Sequence, residues 1–408
     1  MDGFTVYISY LVPRMTPHHD RPITLAIFCK VVDNYGDIGI CWRLARQLQA
    51  EHGIAATLWV DDLRSFQRIW PPVDPDAAEQ TLENVHVRHW QGQDGVFSAA
   101  DVPDIVIEFF GVELPPGYLA AMAQREPRPV WINYEGLSAE AWVEGCHTLP
   151  SMHPRLKLTK HFFFPGFTAG TGGLLREGSL LAARDRFQAD PAAQADFLER
   201  LGVADSELDA FRASLFCYPH APVSELFDAW RHGDRRMLCL VPDGVAREQV
   251  GAFLGRDPVP GSAATHGQLT VRVVPFMSQH DYDRLLWACD LNIVRGEDSW
   301  VRAQWAGRPF IWHIYPQDEN LHHVKLRAFL EKYTGDAGHP DSLSAVSLRW
   351  NGAAEDGRDG QLADWPALWS ALQADLPTLS ARASAWQGLM LANGDLVSNL
   401  LNFARSLR

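Results

Sequence analysis

No two of the six cysteines (Cys29, Cys41, Cys146, Cys217, Cys239 and Cys289) stand in a CxxC pair, so the sequence offers neither a zinc knuckle nor a redox dithiol. Most lie in apolar runs, where a reduced, buried thiol is the ordinary reading. No apolar run approaches the ~18 residues that span a bilayer. Residues 1–21 have no charged start followed by an apolar core and a cleavage site. A loose N-terminal extension is expected there, and a cytoplasmic location for the protein. Positive charge is scarce: 36 Lys and Arg against 50 Asp and Glu leave a formal net charge of −14, which excludes binding to nucleic acid through a basic face. The glycine-rich stretch TAGTGGLLREG (168–178) has no following GK[ST], so it is not a P-loop, and no GxGxxG follows the first strand, which argues against a dinucleotide site. No repeat period and no low-complexity segment stands out.

What is present is ample core material. The chain has 408 residues, 47% of them apolar and 21% charged, more than one core usually accommodates, so two domains are expected. Short apolar, β-branched runs alternate with helical patterns. TLAIFCKVV (24–32), ATLWV (56–60), VHVRHW (85–90), DIVIEFF (104–110) and VWINY (130–134) read as strands. Residues 37–52 read as an amphipathic helix with Ile38, Cys41, Leu44, Ala45 and Leu48 along one face. The alternation breaks between about 140 and 210, where loops and helices are expected between two domains. It resumes with the strands RASLFCY (212–218), RRMLCLV (235–241), LTVRVVPF (269–276), DLNIV (290–294) and RPFIWHI (308–314), and 365–408 reads as mostly helical. The expected fold is α/β, with a domain at 22–190 and another at 191–408. Two such halves present the carboxyl ends of their sheets to one cleft, where ligands collect.

Candidate site residues lie at these strand ends. In IVRGEDSWVRAQWAG a strand turns into a helix whose first N–H groups, near Glu297–Ser299, suit an anion such as a pyrophosphate, with Arg295 and Ser299 as further donors; a plain helix cap explains the same residues. Phe276 and Gln279 pair an aromatic face with an amide, which suits a pyrimidine, or simply packing at a helix start. Ser214, Phe216 and Tyr218 alternate on one strand face, and Tyr315 follows another strand. DYD (281–283) sits in a helix, where its carboxylates diverge, so it is not a metal motif. The histidines of 313–323 lack an HExxH pattern, and no metal site is expected. VVDNYGDIGICWRLARQL (31–48) places Asp33 and Asp37 four residues apart across a turn containing Gly36. Asp37 can serve as the cap of its helix, but that leaves Asp33 unexplained. Two carboxylates at a cleft rim suit a general base acting on a nucleophile, or the holding of a cationic one.

Together VVDNYGDIGICWRLARQL, INYEGLSAE, HFFFPGFT…TGGLLRE, SLFCY and RGEDSWVRAQWAGRPFIWHIYPQ resemble the EarP family, the protein-arginine rhamnosyltransferases that modify bacterial elongation factor P (EF-P), from about residue 22 to 408. The resemblance implies a GT-B glycosyltransferase with two Rossmann-like domains. It implies transfer of L-rhamnose from dTDP-β-L-rhamnose to one arginine of EF-P, with inversion and without a metal or other cofactor, activating EF-P to relieve ribosome stalling at polyproline. It implies no membrane partner and no direct contact with nucleic acid. By motif, Asp33, Asp37 and Glu297 become the essential carboxylates, with Asp37 the general base. Asn34, Tyr35, Gly36, Ser214, Phe216, Tyr218, Phe276, Gln279, Arg295, Glu297, Asp298, Ser299 and Tyr315 become the dTDP-rhamnose site, with Phe276 stacking on thymine. Two rival readings are a GT-B transferase with another nucleotide-sugar and a glycan acceptor, which would have no use for rim carboxylates, and a sugar-nucleotide binding protein without catalysis.

Overall fold

The computed structural model of the protein describes residues 22–33, 35–92, 95–335, 341–353 and 364–408. The expected extension 1–21 lies outside the described residues. The first half is built on β1 (Thr24–Cys29), β2 (Ala55–Val60), β3 (Glu79–Leu82), β4 (Val85–His89), β5 (Ile105–Phe109), β6 (Val130–Tyr134), β7 (Pro150–Met152) and β8 (Thr159–Phe163), in the order β3-β4-β2-β1-β5-β6-β8-β7. The second is built on β9 (Phe211–Leu215), β10 (Met237–Pro242), β11 (Ala263–His266), β12 (Leu269–Val274), β13 (Leu291–Arg295) and β14 (Phe310–His313), in the order β11-β12-β10-β9-β13-β14. All pairings are parallel except at the edges, where β3, β7 and β11 run antiparallel to their neighbours. The α/β expectation holds. The strands with fully buried patterns, such as IVIEF in β5 and VWINY in β6, are those covered on both faces by crossover helices.

Three expectations need correction. The segment 140–210 is not free of strands: β7 and β8 lie within it, and β8 pairs in parallel with β6. Their polar, partly exposed sequences (PSM, TKHFF) give no apolar run to read. The division at residue 190 is crossed in both directions. Leu180, on the helix Leu180–Gln188, belongs to the core of the second half. The last helix, Leu396–Ser406, returns to the first half, where Leu396, Val397, Leu400, Leu401 and Ala404 join its core. The helix Gly36–His52 is not amphipathic in its setting. Ile40, Trp42, Arg43 and Gln47 are buried along with the expected face, because this helix is packed against its own sheet on one side and the second half on the other.

Sheet order fixes where a ligand can enter. Strand order reverses between β1 and β5 in the first sheet and between β9 and β13 in the second. Chains leaving adjacent strands at such a point diverge and open a crevice. Both crevices face the same cleft.

Candidate active site

Two adjoining cavities occupy the cleft. The first takes its wall from the second half, with Phe216, Phe276, Gln279, Tyr282, Arg295 and Ser299, and is closed by Tyr35, Gly36 and Arg43 of the first half. The second lies under the strand ends of the first half, with Asp33, Asp37, Phe110 and Glu135, and is completed by Glu297, Tyr315 and Lys325 of the second. Asp33, Gly36 and Gly296 line both cavities.

The turn after β1 shapes the shared wall. The Gly36 N–H donates to the Asp33 carbonyl at 2.8 Å, and the helix starts at Gly36 with Tyr35 before it. Asp37 is therefore not the cap of this helix but a residue of its first turn. Its Oδ2 folds back to accept the N–H groups of Val32 (2.7 Å) and Asp33 (2.9 Å), which fixes the carboxylate. Burial raises the Asp37 pKa, and those two N–H groups oppose the rise. Asp33 reaches the other way, accepting the Tyr218 hydroxyl at 2.8 Å. Asn34 lies outside the described residues.

Across the cleft the turn after β13 passes through Gly296 at φ +62°, and a Cβ there would stand 3.0 Å from Asp33 Oδ2. Glycine is favoured on both counts. The Trp312 indole N–H holds the Gly296 carbonyl at 2.8 Å. Glu297 stands just before the helix Asp298–Ala306, but its side chain does not cap it. It extends across the cleft, where its Oε2 accepts the Leu137 N–H at 2.8 Å. Burial pushes the Glu297 carboxyl up to about 8, Asp37 and Asp298 add to the rise, and the Leu137 N–H opposes it. Glu135, also raised by burial, is pinned by the Asn133 side-chain N–H at 2.6 Å. The second cavity thus gathers the carboxyl groups of Asp33, Asp37, Glu135 and Glu297 around one space with Lys325 at its edge, an acceptor-rich setting in which a bound cation would favour the ionised carboxylates.

The first cavity has the opposite character. It contains the start of the helix Asp298–Ala306, where free backbone N–H groups and the helix dipole favour negative charge. The Arg295 guanidinium lies 4.5 Å from the Phe216 ring and 4.8 Å from the Tyr218 ring, and donates to the Cys217 carbonyl at 3.1 Å. Ser299 spends its hydroxyl on the Arg295 backbone, which ties the helix to the end of β13. Phe276 lies 4.8 Å from the Tyr35 ring. Gln279 donates its amide to the Gly39 carbonyl at 2.9 Å and to Asp298 at 3.2 Å.

Not every expected residue reaches a cavity. Ser214 is buried within the sheet, its hydroxyl donating to the Asn292 side-chain oxygen at 2.7 Å. β9 ends at Leu215, so the alternation that grouped Ser214 with Phe216 and Tyr218 does not continue. Tyr315, 5.6 Å from the Tyr218 ring, lines the second cavity rather than the first. Asp281 is exposed beside Arg284, while Asp283 is buried against Arg43 and Arg302, so the DYD carboxylates do diverge. Sequence reading missed Arg43, Glu135, Tyr282 and Lys325. A lone arginine inside ICWRLA was the available signal for the first. Among the described residues no three His, Cys, Asp or Glu side chains are grouped to hold a metal ion, and no helix is long and apolar enough to cross a membrane.

Comparison with known proteins places this geometry. The family model described as "Elongation-Factor P (EF-P) rhamnosyltransferase EarP" matches residues 25–405. The chain belongs to the EarP family. Relatives named protein-arginine rhamnosyltransferase include one from Pseudomonas putida, 49% identical over 94% of this chain and 99% of its own, and one from Pseudomonas aeruginosa, 46% identical over 92% and 97%. A solved structure described as "Structural basis for EarP-mediated arginine glycosylation of translation elongation factor EF-P" is 36% identical, with a TM-score of 0.63, over 94% of this chain and 99% of that one. The two facing Rossmann-like halves are the GT-B arrangement of an EarP-family glycosyltransferase.

Proposed function

We propose that this protein transfers L-rhamnose from dTDP-β-L-rhamnose to an arginine side chain of EF-P, inverting the anomeric carbon and using no metal ion. The relatives named protein-arginine rhamnosyltransferase support a glycosyltransferase acting on arginine, and the family description supports EF-P as the protein that carries it. The observation that carries the reading is the junction of an anion-favouring cavity and a carboxylate-lined cavity at Asp33, Gly36 and Gly296.

A guanidinium is a poor nucleophile because its charge is delocalised and its pKa exceeds ~12. In the second cavity the free oxygen of Asp37 takes the proton from one terminal nitrogen as that nitrogen bonds to C1 of the sugar. The C1–O bond to the diphosphate breaks, and its electron pair leaves with dTDP. The glycosylated guanidinium keeps its single positive charge. Asp33, Glu135 and Glu297 hold the remaining N–H groups, and the low-dielectric setting strengthens each of these contacts. On the donor side, Arg295 and the N–H groups of the helix Asp298–Ala306 receive the charge that grows on the departing diphosphate. Phe276 supports stacking of the thymine ring.

Intact-mass spectrometry of EF-P incubated with this protein and dTDP-β-L-rhamnose, with EDTA present, tests donor, acceptor and metal independence together. A gain of one deoxyhexose, lost when the acceptor arginine is replaced by lysine, is expected. An unchanged mass while dTDP still binds would overturn the acceptor or sugar assignment.

A further inference from the structure

Arg43 belongs to the first half but makes its side-chain hydrogen bonds to the second. Its Nε donates to Asp298 at 2.9 Å, and its two Nη groups grip Asp283 at 3.1 and 3.0 Å. Arg302 holds the same Asp283 and also Glu177. Glu177 Oε1 lies 3.6 Å from Arg43. Side chains of the second half press on the Gly39 backbone at this seam: a Cβ on Gly39 would stand 3.1 Å from Asp298 Oδ2 and 3.2 Å from the Gln279 amide nitrogen. Arg43 and Asp283 are almost wholly buried.

This arrangement bears on the donor. Asp298 is the first residue of the helix whose N-terminus faces the anion-favouring cavity, and both Asp298 and Arg43 line that cavity. A carboxylate beside a diphosphate repels it unless a cation answers the charge. The cluster contains two guanidinium groups, Arg43 and Arg302, against three carboxylates, Asp283, Asp298 and Glu177. Arg302 makes its hydrogen bonds to Asp283 and Glu177 and acts on Asp298 only from a distance, whereas Arg43 Nε hydrogen-bonds Asp298, beside the neutral Gln279 amide, so Arg43 is the guanidinium in direct contact with it.

We infer that Arg43 is a positioning and charge-completing residue of the donor site: by neutralising Asp298 from the opposite half, it makes nucleoside-diphosphate binding depend on the docking of the acceptor half. The inference rests on the donor assignment above. Removing Arg43 leaves one more uncompensated negative charge next to the diphosphate, and the same ion pairs hold the helix bearing Asp37 against the donor helix. Donor affinity and assembly of the acceptor cavity are thereby coupled.

The test is calorimetric titration of dTDP into wild type, Arg43→Met, Arg43→Lys and the double variant Arg43→Met with Asp298→Asn, each checked for fold by circular dichroism. Arg43→Met is expected to weaken dTDP by about tenfold or more, the effect of one uncompensated charge in a partly buried site. The double variant is expected to recover most of that loss, which a merely structural role for Arg43 would not produce. Arg43→Lys, which keeps the charge, is expected to stay within about threefold of wild type. Unchanged dTDP affinity in folded Arg43→Met, or no recovery in the double variant, would overturn the inference. If Arg43→Met does not fold, a tenfold loss in Arg43→Lys would overturn it and retention would support it. Failure of the wild type to bind dTDP would instead overturn the donor assignment, and this inference with it.

Discussion

Tyr218 shows how one side chain serves both halves. Its backbone N–H donates to His313 Nδ1 at 3.1 Å, and its hydroxyl donates to Asp33 at 2.8 Å. Burial holds His313 down to about 3, so the ring is neutral, and the Tyr218 N–H leaves Nδ1 as its acceptor nitrogen. Tyr218→Phe keeps the ring under Arg295 and removes only the hydroxyl. Transfer should fall by about tenfold, the effect of one hydrogen bond to a charged group, with dTDP affinity nearly unchanged; single-turnover kinetics with a binding titration checks both. Glu297 gives a prediction in pH. Its folded pKa, about 8, lies above the unfolded value near ~4.5. The folded state then binds the extra proton, and stability from this group is present below about pH 4.5 and lost as pH rises through 8. Glu297→Gln should remove that loss: its denaturation midpoint should gain on wild type between pH 5 and pH 8.5. A constant difference across the range would refute the buried, protonated carboxyl. At this scale the sequence was informative. Two carboxylates around a glycine turn were visible, and the structure brings both to the wall of one cavity. Arg43 was less so, because its partners Asp283 and Asp298 lie 240 and 255 residues away.

The elements were legible wherever both faces of a strand were buried. TLAIFC and VWINY show their apolar, β-branched runs plainly. EQTL in β3 and TKHFF in β8 do not, because an edge or partly covered strand has no apolar run to display. Register and order also lay beyond the sequence, so the placement of both cavities at strand-order reversals emerges only from the pairing of β1 with β5 and β9 with β13. The element on which the site depends most is the turn from β13 into the helix Asp298–Ala306. Gly296→Ala would force a left-handed residue at φ +62° and press a methyl against Asp33. A loss of about 1–2 kcal/mol in stability is expected, together with a fall in transfer that exceeds it, because the methyl displaces Asp33. Denaturant unfolding beside a transfer assay separates the two effects. Equal losses would indicate backbone strain alone.

At the scale of the whole molecule, the proposed reaction divides its charges between two cavities: Asp33, Asp37 and Glu135 of the first half with Glu297 of the second on the acceptor side, and Arg295 with a helix N-terminus of the second half on the donor side. Among the ties between the halves are the buried Arg43 cluster and the last helix, whose residues 396–404 complete the first core. The helical character of 365–408 was visible in the sequence, but that says nothing about which of two cores the last helix joins. Asp37→Asn tests this division of labour when transfer and dTDP binding are measured on the same sample. Asparagine keeps an oxygen for the Val32 and Asp33 N–H groups but cannot take a proton. The account predicts dTDP affinity within about twofold of wild type and a fall in single-turnover transfer to EF-P of about 10³, the scale of a lost general base. Transfer at the wild-type rate, or a matched loss of dTDP binding, would contradict it.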